Sequence, residues 1–279
     1  MLFKNREFIG SVILGFCFCL GLISIPPAAN AKPPKGKAWA LVWADEFDGA
    51  EIDTTKWNYF DGWGLSPWRE AYYTEEDAFL ENGNLVIRSR KDGDQYKTAG
   101  LTSHEKFEHR YGYYEISARM SGLEALGQWV AFWLYIDGYK AHDGNAANGV
   151  EVDIIEYFVQ RENIYHAVHW GIDWSQNRSH TSTIPGLRKD FHTFGIEWSP
   201  EMYIFYIDDK EVWRVTKGVS QVKQWILLTL EIQTVFLDDV YNISDYSDLL
   251  PDYWVVDYVR VYDLVKIPPP WMPLLLKDP

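Results

Sequence analysis

Three carboxylates lie among β-branched and aromatic residues in the segment Val150-Glu151-Val152-Asp153-Ile154-Ile155-Glu156-Tyr157-Phe158. The apolar residues between them predict a buried β-strand rather than a solvated edge. Side chains alternate along a strand, so Glu151 and Asp153 share one face, whereas Glu156 would face the other side. A one-residue β-bulge near Ile154-Ile155 returns Glu156 to the face of Glu151. Like charges on one sheet face are costly, so the pattern indicates a functional site.

Short alternating or β-branched runs continue on both sides of this segment, separated by turn residues such as Asn82-Gly83. No segment after Ala31 has a long apolar period of 3.6 residues, and we find no internal repeat. The predicted strands include residues 85–89, 111–119, 150–159, 165–170, 191–198, 202–207, 211–215, 225–232 and 254–262. Many short strands without helices between them predict an all-β fold, a sandwich or jelly roll.

The first thirty residues have the pattern of a secretory signal peptide. A basic start at Lys4 and Arg6 precedes an apolar run over residues 8–25 and the A-x-A site Ala29-Asn30-Ala31. The alternative is an uncleaved membrane anchor, because the run of about 18 residues could just span a bilayer. The A-x-A site favours cleavage after Ala31. We therefore expect a secreted protein, extracellular or periplasmic, with no stable membrane association after cleavage.

The chain divides into three predicted parts: a signal peptide at 1–31, a catalytic domain at 32–264 and a proline-rich tail at 265–279. Cys17 and Cys19 are the only cysteines of the 279 residues, and both lie in the signal peptide. The mature protein is therefore expected to be held by its core rather than by disulfides. The tail contains five prolines from Pro268 onward, which predicts an extended segment outside the fold.

The net charge limits the possible partners. The formal charge is −14, from 26 basic and 40 acidic residues, which argues against binding nucleic acid or anionic lipid. Aromatic residues reach 16%, with 14 Trp and 18 Tyr, more than core packing usually needs. Stacking on flat apolar faces is one use for that surplus. Oligomeric state does not follow from the sequence.

The motif Glu151-x-Asp153-x-x-Glu156 resembles the bulged E-x-D-x-x-E active-site motif of glycoside hydrolase family 16. Further segments resemble the family in the family's own order along most of the chain. They are WADEFDG at 43–49, GNLVI at 83–87, YGYYE at 111–115, GQWVAFW at 127–133, FHTFGIEW at 191–198 and VDYVRVY at 256–262. The resemblance implies a β-jelly-roll sandwich of two antiparallel sheets, with a concave cleft for a polysaccharide or oligosaccharide.

The resemblance also implies hydrolysis with retention of configuration at internal β-linkages. Glu151 would be the nucleophile, Glu156 the acid/base, and Asp153 would hydrogen-bond the nucleophile. Retention requires two carboxyl groups about 5–5.5 Å apart, which long side chains on a bulged strand can reach. No cofactor is needed for this reaction. A wall-remodelling transglycosylase using the same residues is one alternative, and a non-catalytic carbohydrate-binding jelly roll is another, although the intact carboxylates argue against the latter.

Several residues are candidates for substrate contact. Trp129 and Trp133 share a strand face at positions where the family stacks sugars; core packing is the alternative. His169 lies on a return strand that could place it beside Glu156, or it could be a structural histidine. His166, at an odd offset from His169, should face the other way.

Other candidates mark departures from the family pattern. Trp68, Arg69 and Glu70 stand where many members have a Gly-Asn-Asn-Glu-like run, and only the glutamate is kept. Glu231, in LTLEIQ at 228–233, replaces the Asn-Leu-Ala-x-Gly-Gly-like strand of β-1,3-glucanases and could hydrogen-bond hydroxyls as in members that act on galactans. β-1,3-Glucan, mixed-linkage glucan, galactan and sulfated galactan all remain open as substrates.

A structural calcium is a further implication of the resemblance. Some members hold one through the carbonyl that matches Gly83 and the carboxylate that matches Asp257. The loop at 137–148 lacks the spaced acidic ligands of an EF-hand, so we interpret it as a rim of the cleft.

Overall fold

β-Strands make up most of the part of the chain that the structure describes, which is residues 33–62, 70–120, 122–136, 144–159, 162–172, 175–233, 235–236, 239–240 and 243–265. The coordinates are a computed structural model. The described residues all belong to one structural unit, Ala31–Pro279, and Met1–Asn30 lies outside them. The predicted signal peptide and nearly all of the predicted tail also lie outside them, as do Trp68 and Arg69.

Within these ranges the strands and the short 3-10 helices follow one another in a meander of hairpins and crossovers. The strands are β1 Trp39–Asp45, β2 Asn58–Tyr59, β3 Ala71–Tyr73, β4 Ala78–Glu81, β5 Asn84–Asp92, β6 Gln95–Thr98, β7 Gly100–Thr102, β8 Glu108–His109, β9 Gly112–Arg119, β10 Gln128–Tyr135, β11 Glu151–Phe158, β12 Asn163–Trp170, β13 Gln176–Thr183, β14 Phe191–Trp198, β15 Tyr203–Ile207, β16 Lys210–Val215, β17 Gln224–Ile232, β18 Val235–Phe236, β19 Asp239–Val240 and β20 Asp252–Leu264. The 3-10 helices are Glu75–Asp77, Ala146–Asn148 and Ile243–Leu249.

Two large sheets carry the fold. One, here called the outer sheet, has the order β16-β15-β14-β9-β20-β5-β6-β3, with β1 also pairing β20 and β4 pairing β5. The other, here called the cleft sheet, has the order β13-β12-β11-β10-β17-β7-β2, with β8 also pairing β17. Strands β18 and β19 form a separate ribbon. This confirms the predicted all-β sandwich of jelly-roll type. One strand pair departs from the antiparallel pattern, because β3 and β6 pair in parallel.

The core lies between the two sheets, because each central strand turns every second side chain inward. Val130, Phe132 and Leu134 of β10 and Ile116 of β9 are fully buried members of one apolar cluster. Burying each such side chain stabilises the fold by about 1.5–3 kcal/mol. The intervening residues of β10 face away from the core, and they form part of the site described below.

The predicted strands all coincide with observed ones, and 191–198 agrees at both ends. The others differ by one to three residues at one or both ends, and the observed strand is longer than predicted in some cases and shorter in others. No helix in the described ranges has the length and apolar character needed to cross a membrane.

Candidate active site

Strand β11 contains the predicted bulge. Glu151 lies opposite His169 of β12, and Asp153 lies opposite Ala167, but Glu156 lies opposite Tyr165. Three steps along β11 therefore correspond to two along β12. The ladder to β10 shifts at the same place: Phe132 pairs with Ile155 and Trp133 with Asp153, which leaves Ile154 as the extra residue. The bulge turns Glu156 to the face of Glu151 and Asp153, as the spacing predicted.

The three carboxylates share the face of the cleft sheet that points away from the core. Asp153 is only 4% exposed, and burial together with the charges of Glu151 and Glu156 raises its pKa well above the ordinary value. Burial, Glu151 and Glu231 raise the pKa of Glu156 to about 8. Glu156 is therefore protonated at neutral pH. A carboxylic acid that keeps its proton can donate it to a leaving group.

His169 lies opposite Glu151, whereas we expected it beside Glu156, at the other end of the three carboxylates. Its Nε2 atom is 3.5 Å from Oδ2 of Asp153, and the residue faces Glu151, not Glu156. The expectation that it neighbours Glu156 was wrong, because the register of the hairpin pairs Glu156 with Tyr165. Burial lowers the pKa of His169, which favours the neutral form of its ring. One atom each from Glu151, Asp153 and His169 lies within 4.8 Å of the others, a spacing that could hold a metal ion.

The two tryptophans of β10 differ in exposure. Trp129 is half-buried and stacks on Phe158 of β11, with ring centroids 5.5 Å apart. Trp133 is 4% exposed and donates from Nε1 to Oγ1 of Thr229 at 3.2 Å. It packs in an apolar cluster on the cleft face that includes Trp225. Part of the Trp129 side chain is accessible to a ligand, whereas the burial of Trp133 favours packing.

Two further acidic candidates lie at the end of β17. Glu231 faces Trp129 across the ladder between β10 and β17, is 5% exposed, and accepts a hydrogen bond from Nε2 of Gln233 at 2.9 Å. The backbone N–H of Glu70 donates to the carbonyl of Ile232 at 3.1 Å, and burial raises the pKa of the Glu70 carboxyl. The structure thus brings Glu70 and Glu231 to one end of β17.

The sequence did not single out a groove at the opposite end of the cleft sheet. It has a volume of about 390 Å³ and is lined by Tyr59, Phe60, His104, Tyr135 and Trp225 among others. The rings of His104 and Trp225 lie 4.1 Å apart. Tyr135 and Trp225 are opposite each other in the ladder between β10 and β17, a register that the sequence alone does not give.

The sequence also assigned no role to His166, which faces the core from β12 and is 1% exposed. Its Nδ1 atom lies 2.8 Å from the carbonyl oxygen of Ile154, the extra residue of the bulge. A polar side chain in an apolar core was the available signal. Sequence reasoning placed it correctly on the face opposite His169 but assigned it no role.

The residues expected to hold calcium have oxygen atoms that suit it. Val256 of β20 pairs with Leu85 of β5, so Asp257 lies at the level of the turn that contains Gly83. Oδ2 of Asp257 is buried and accepts no hydrogen bond among the described residues. Burial raises the pKa of this carboxyl. A hard cation that takes carboxylate and carbonyl oxygens fits these groups.

A two-sheet jelly roll with carboxylates and aromatic side chains on one open sheet face can hold a polysaccharide chain. The chain belongs to glycoside hydrolase family 16: the family model described as the GH16 domain of beta-porphyranases A-D matches residues 39–264. It is an endo-β-glycanase of that family.

Known glucanases are similar to this chain. A beta-glucanase of Rhodothermus marinus is 29% identical, covering 94% of this chain and 96% of its own. Glucan endo-1,3-beta-glucosidase A1 of Niallia circulans is 25% identical, covering 80% of this chain, which in turn spans 37% of that longer protein. The solved structure of an endo-beta-1,3-glucanase from Pyrococcus furiosus superposes with a TM-score of 0.69 at 28% identity, covering 84% of this chain and 98% of its own.

Proposed function

We propose that the protein is a secreted, endo-acting and retaining hydrolase that cleaves internal β-linkages of a polysaccharide by double displacement. Glu151 is the nucleophile, Glu156 is the acid/base, and Asp153 keeps the pair's charge states apart. The observation that supports this most directly is the bulge at Ile154, which turns Glu156 to the face of Glu151. The charge of Glu151 also raises the pKa of Glu156, and a carboxyl pair about 5–5.5 Å apart suits a covalent intermediate rather than an inverting water.

The protonation states support these roles. With a pKa of about 8, Glu156 holds a proton that it donates to the glycosidic oxygen as Glu151 attacks the anomeric carbon. The products of this step are a glycosyl ester on Glu151 and a free sugar end. Glu156, now ionised, takes a proton from water, and that water cleaves the ester. Glu151 leaves as a carboxylate, and Glu156, which keeps the proton from that water, is ready for another cycle.

For the substrate we propose a β-linked galactan, with β-glucan as the alternative class. The buried Glu231–Gln233 pair beside Trp129 supplies polar groups at the end of the cleft, and the matching family model is that of porphyranases. Strands β10, β11, β12 and β17 contain no Lys or Arg, which favours stretches of the polymer without sulfate. The glucanase relatives support the alternative.

Product stereochemistry and a substrate panel test this function. The protein is incubated with agarose, porphyran, laminarin and mixed-linkage glucan, and new reducing ends are measured. We expect the highest rate on a galactan, and anomeric proton NMR before mutarotation should show β products first. An initial α product would exclude the retaining mechanism. Highest turnover on laminarin would move the substrate to β-glucan, and longer products formed from oligosaccharides would indicate a transglycosylase. Binding without cleavage would indicate a carbohydrate-binding module.

Secretion and calcium binding are separate parts of the proposal. Expression with the native N-terminus should release a protein that begins after Ala31, as read by N-terminal sequencing. Calcium held by Gly83 and Asp257 would stabilise the outer sheet rather than take part in catalysis. Chelation should then lower Tm in the wild type but not in Asp257→Asn, with activity measured at a temperature where both remain folded.

A further inference from the structure

The fold does not by itself explain the bulge in β11, because an extra residue in a ladder leaves its backbone polar groups without a partner strand. The carbonyl of Ile154 lies between the sheets, where Ile154 and Ile155 are fully buried. A buried carbonyl without a hydrogen bond is unfavourable, because nothing replaces the hydrogen bond to water that it loses on folding. A regular register would pair that carbonyl again, but it would turn Glu156 into the core. The bulge therefore needs an internal donor.

His166 supplies that donor. Its Nδ1 atom is 2.8 Å from the Ile154 oxygen, and a carbonyl can only accept, so Nδ1 carries the proton. Nε2 of the neutral ring then accepts from the hydroxyl of Ser182 at 3.2 Å. The ring also packs against Phe205 of the outer sheet, with centroids 5.2 Å apart. Contacts on three sides thus fix the orientation of this ring.

We propose that His166 is a positioning residue for the proposed acid/base: its Nδ1–H holds the Ile154 carbonyl and thereby keeps Glu156 on the face of Glu151. His166 acts from the core and touches neither substrate nor carboxylate. Burial lowers its pKa to about 4, which keeps the ring neutral and Nε2 available to Ser182. This inference rests on the proposed function, because it assigns a catalytic consequence to the bulge.

The test separates the hydrogen bond from packing. His166→Phe keeps a ring but removes the donor, whereas His166→Asn removes the ring but places an amide N–H where Nδ1 stood. If His166 only packs, Phe should retain more activity than Asn, since it fills the core better. If His166 holds the bulge, stability and activity diverge. Phe should then be the more stable variant and lose kcat by at least tenfold with KM changed less than twofold, while Asn keeps most of kcat.

Two controls complete the experiment. Val168→Ala changes a fully buried neighbour on the same face of β12 and should lower Tm without lowering kcat. If the Phe variant does not fold, His166→Gln replaces it, because its longer side chain carries the amide to the Nε2 position, and kcat should be lower than in Asn. Wild-type kcat in Phe, or in Gln if Phe does not fold, would overturn the proposal.

A measurement that does not depend on turnover tests the hydrogen bond of His166 even if the proposed function is wrong. Long-range proton–nitrogen NMR of the wild-type imidazole should show the Nδ1–H tautomer and no protonation above about pH 5. A wild type that cleaves no polysaccharide but shows this tautomer would refute the function and retain the hydrogen bond. An Nε2–H tautomer would refute the positioning role whatever the activity.

Discussion

Asp77 and Asp153 are both buried aspartates, but their surroundings are opposite. Asp77, in the 3-10 helix before β4, is 0% exposed and accepts hydrogen bonds from Nε of Arg88 at 2.7 Å and of Arg90 at 2.8 Å. Burial alone would raise its pKa, but the bonds from Arg90, Thr74 and Arg88 outweigh burial and lower it. Asp153 has no arginine or lysine partner among the described residues, and its pKa is raised.

The difference separates structural from functional carboxylates. In the outer sheet the buried acids have donors: Asp45 accepts from Nε1 of Trp57, Glu197 pairs with Lys37, and Asp252 accepts from the backbone N–H groups of Glu124 and Ala125. Even Glu115, whose pKa burial raises to about 7, accepts a hydrogen bond from Tyr258 at 3.0 Å. In the cleft sheet, Asp153 and Glu156 face like charges instead. Burying a carboxyl group without a cation beside it lowers stability. Carboxyl groups with strongly shifted pKa values are concentrated at catalytic sites.

The largest expected effect is on turnover when a cleft glutamate is neutralised. Glu151→Gln should lower kcat/KM by at least about 10³-fold, because an amide cannot form the glycosyl ester, and Glu156→Gln by about 10²–10⁴-fold through loss of proton transfer. Both variants should unfold at the same denaturant concentration as wild type or higher. Reducing-end assays and urea titration with circular dichroism measure the two quantities.

Glu81→Gln, at the exposed end of β4, is the matched control and should change neither turnover nor stability. A folded Glu151→Gln with near-normal hydrolysis would contradict the site assignment.

The next largest effect is on the free energy of unfolding, which we compare between variants of Asp77 and Asp153. Asp77→Asn should destabilise the protein by about 3 kcal/mol, because it leaves two arginines without their carboxylate partner. Asp153→Asn should be neutral or stabilising, because it removes a buried acid that has no cation. Activity should show the reverse order, with a loss only in Asp153→Asn that is smaller than in either glutamate variant.

Equal losses of stability in the two variants, measured by urea titration at pH 7, would show that the contrast in pairing has no energetic consequence.

The sequence predicted the parts of the site that depend on local periodicity. The spacing of Glu151 and Glu156 required either a bulge or opposite faces, and β-branched residues favoured a strand, so the bulge could be derived. The partner of His169 could not be, because the register of β11 on β12 depends on the turn between them and on the bulge itself. One residue of slip moves every pair.

The second feature that the sequence could not predict is the solvent exposure of individual side chains. Periodicity places Trp129 and Trp133 on one face, and both are there. It does not reveal that Trp225 and Leu227, more than ninety residues later, cover Trp133 from the neighbouring strand. Burial depends on the whole sheet, so the two tryptophans could be told apart only in three dimensions.

A smaller effect is expected for oligosaccharide affinity at Trp129. Trp129→Ala in the Glu151→Gln background should weaken binding by about 1–2 kcal/mol, the scale of removing part of an apolar ring contact. Calorimetric titration should show little dependence on salt, since no charge pairing is involved. Trp213→Ala removes a half-buried indole of β16 in the outer sheet and should lower Tm with no change in affinity. If Trp129→Ala instead loses stability and keeps its affinity, Trp129 serves packing alone.

The smallest expected effect is the pH dependence of activity and stability, which has opposite signs for Glu156 in the cleft sheet and for Asp77 beside the outer sheet. Glu156 must be protonated to act as an acid, so kcat/KM should fall about tenfold per pH unit above about 8, and this alkaline decrease should vanish in Glu156→Gln.

The pH dependence of stability follows from the same shift. The pKa of Glu156 is raised in the folded state, so the folded state binds the proton more tightly than the unfolded state. The contribution of Glu156 to stability is therefore full below its ordinary pKa near 4.5 and is lost as pH rises to about 8. The lowered pKa of Asp77 has the opposite sign: its contribution is present above its ordinary pKa of 3.8 and is lost in acid. Urea midpoints at pH 5 and 8.5 should therefore differ less in Glu156→Gln than in wild type, whereas the alkaline loss should persist unchanged in Asp77→Asn. An alkaline loss of stability as large in Glu156→Gln as in wild type would place the titrating group elsewhere.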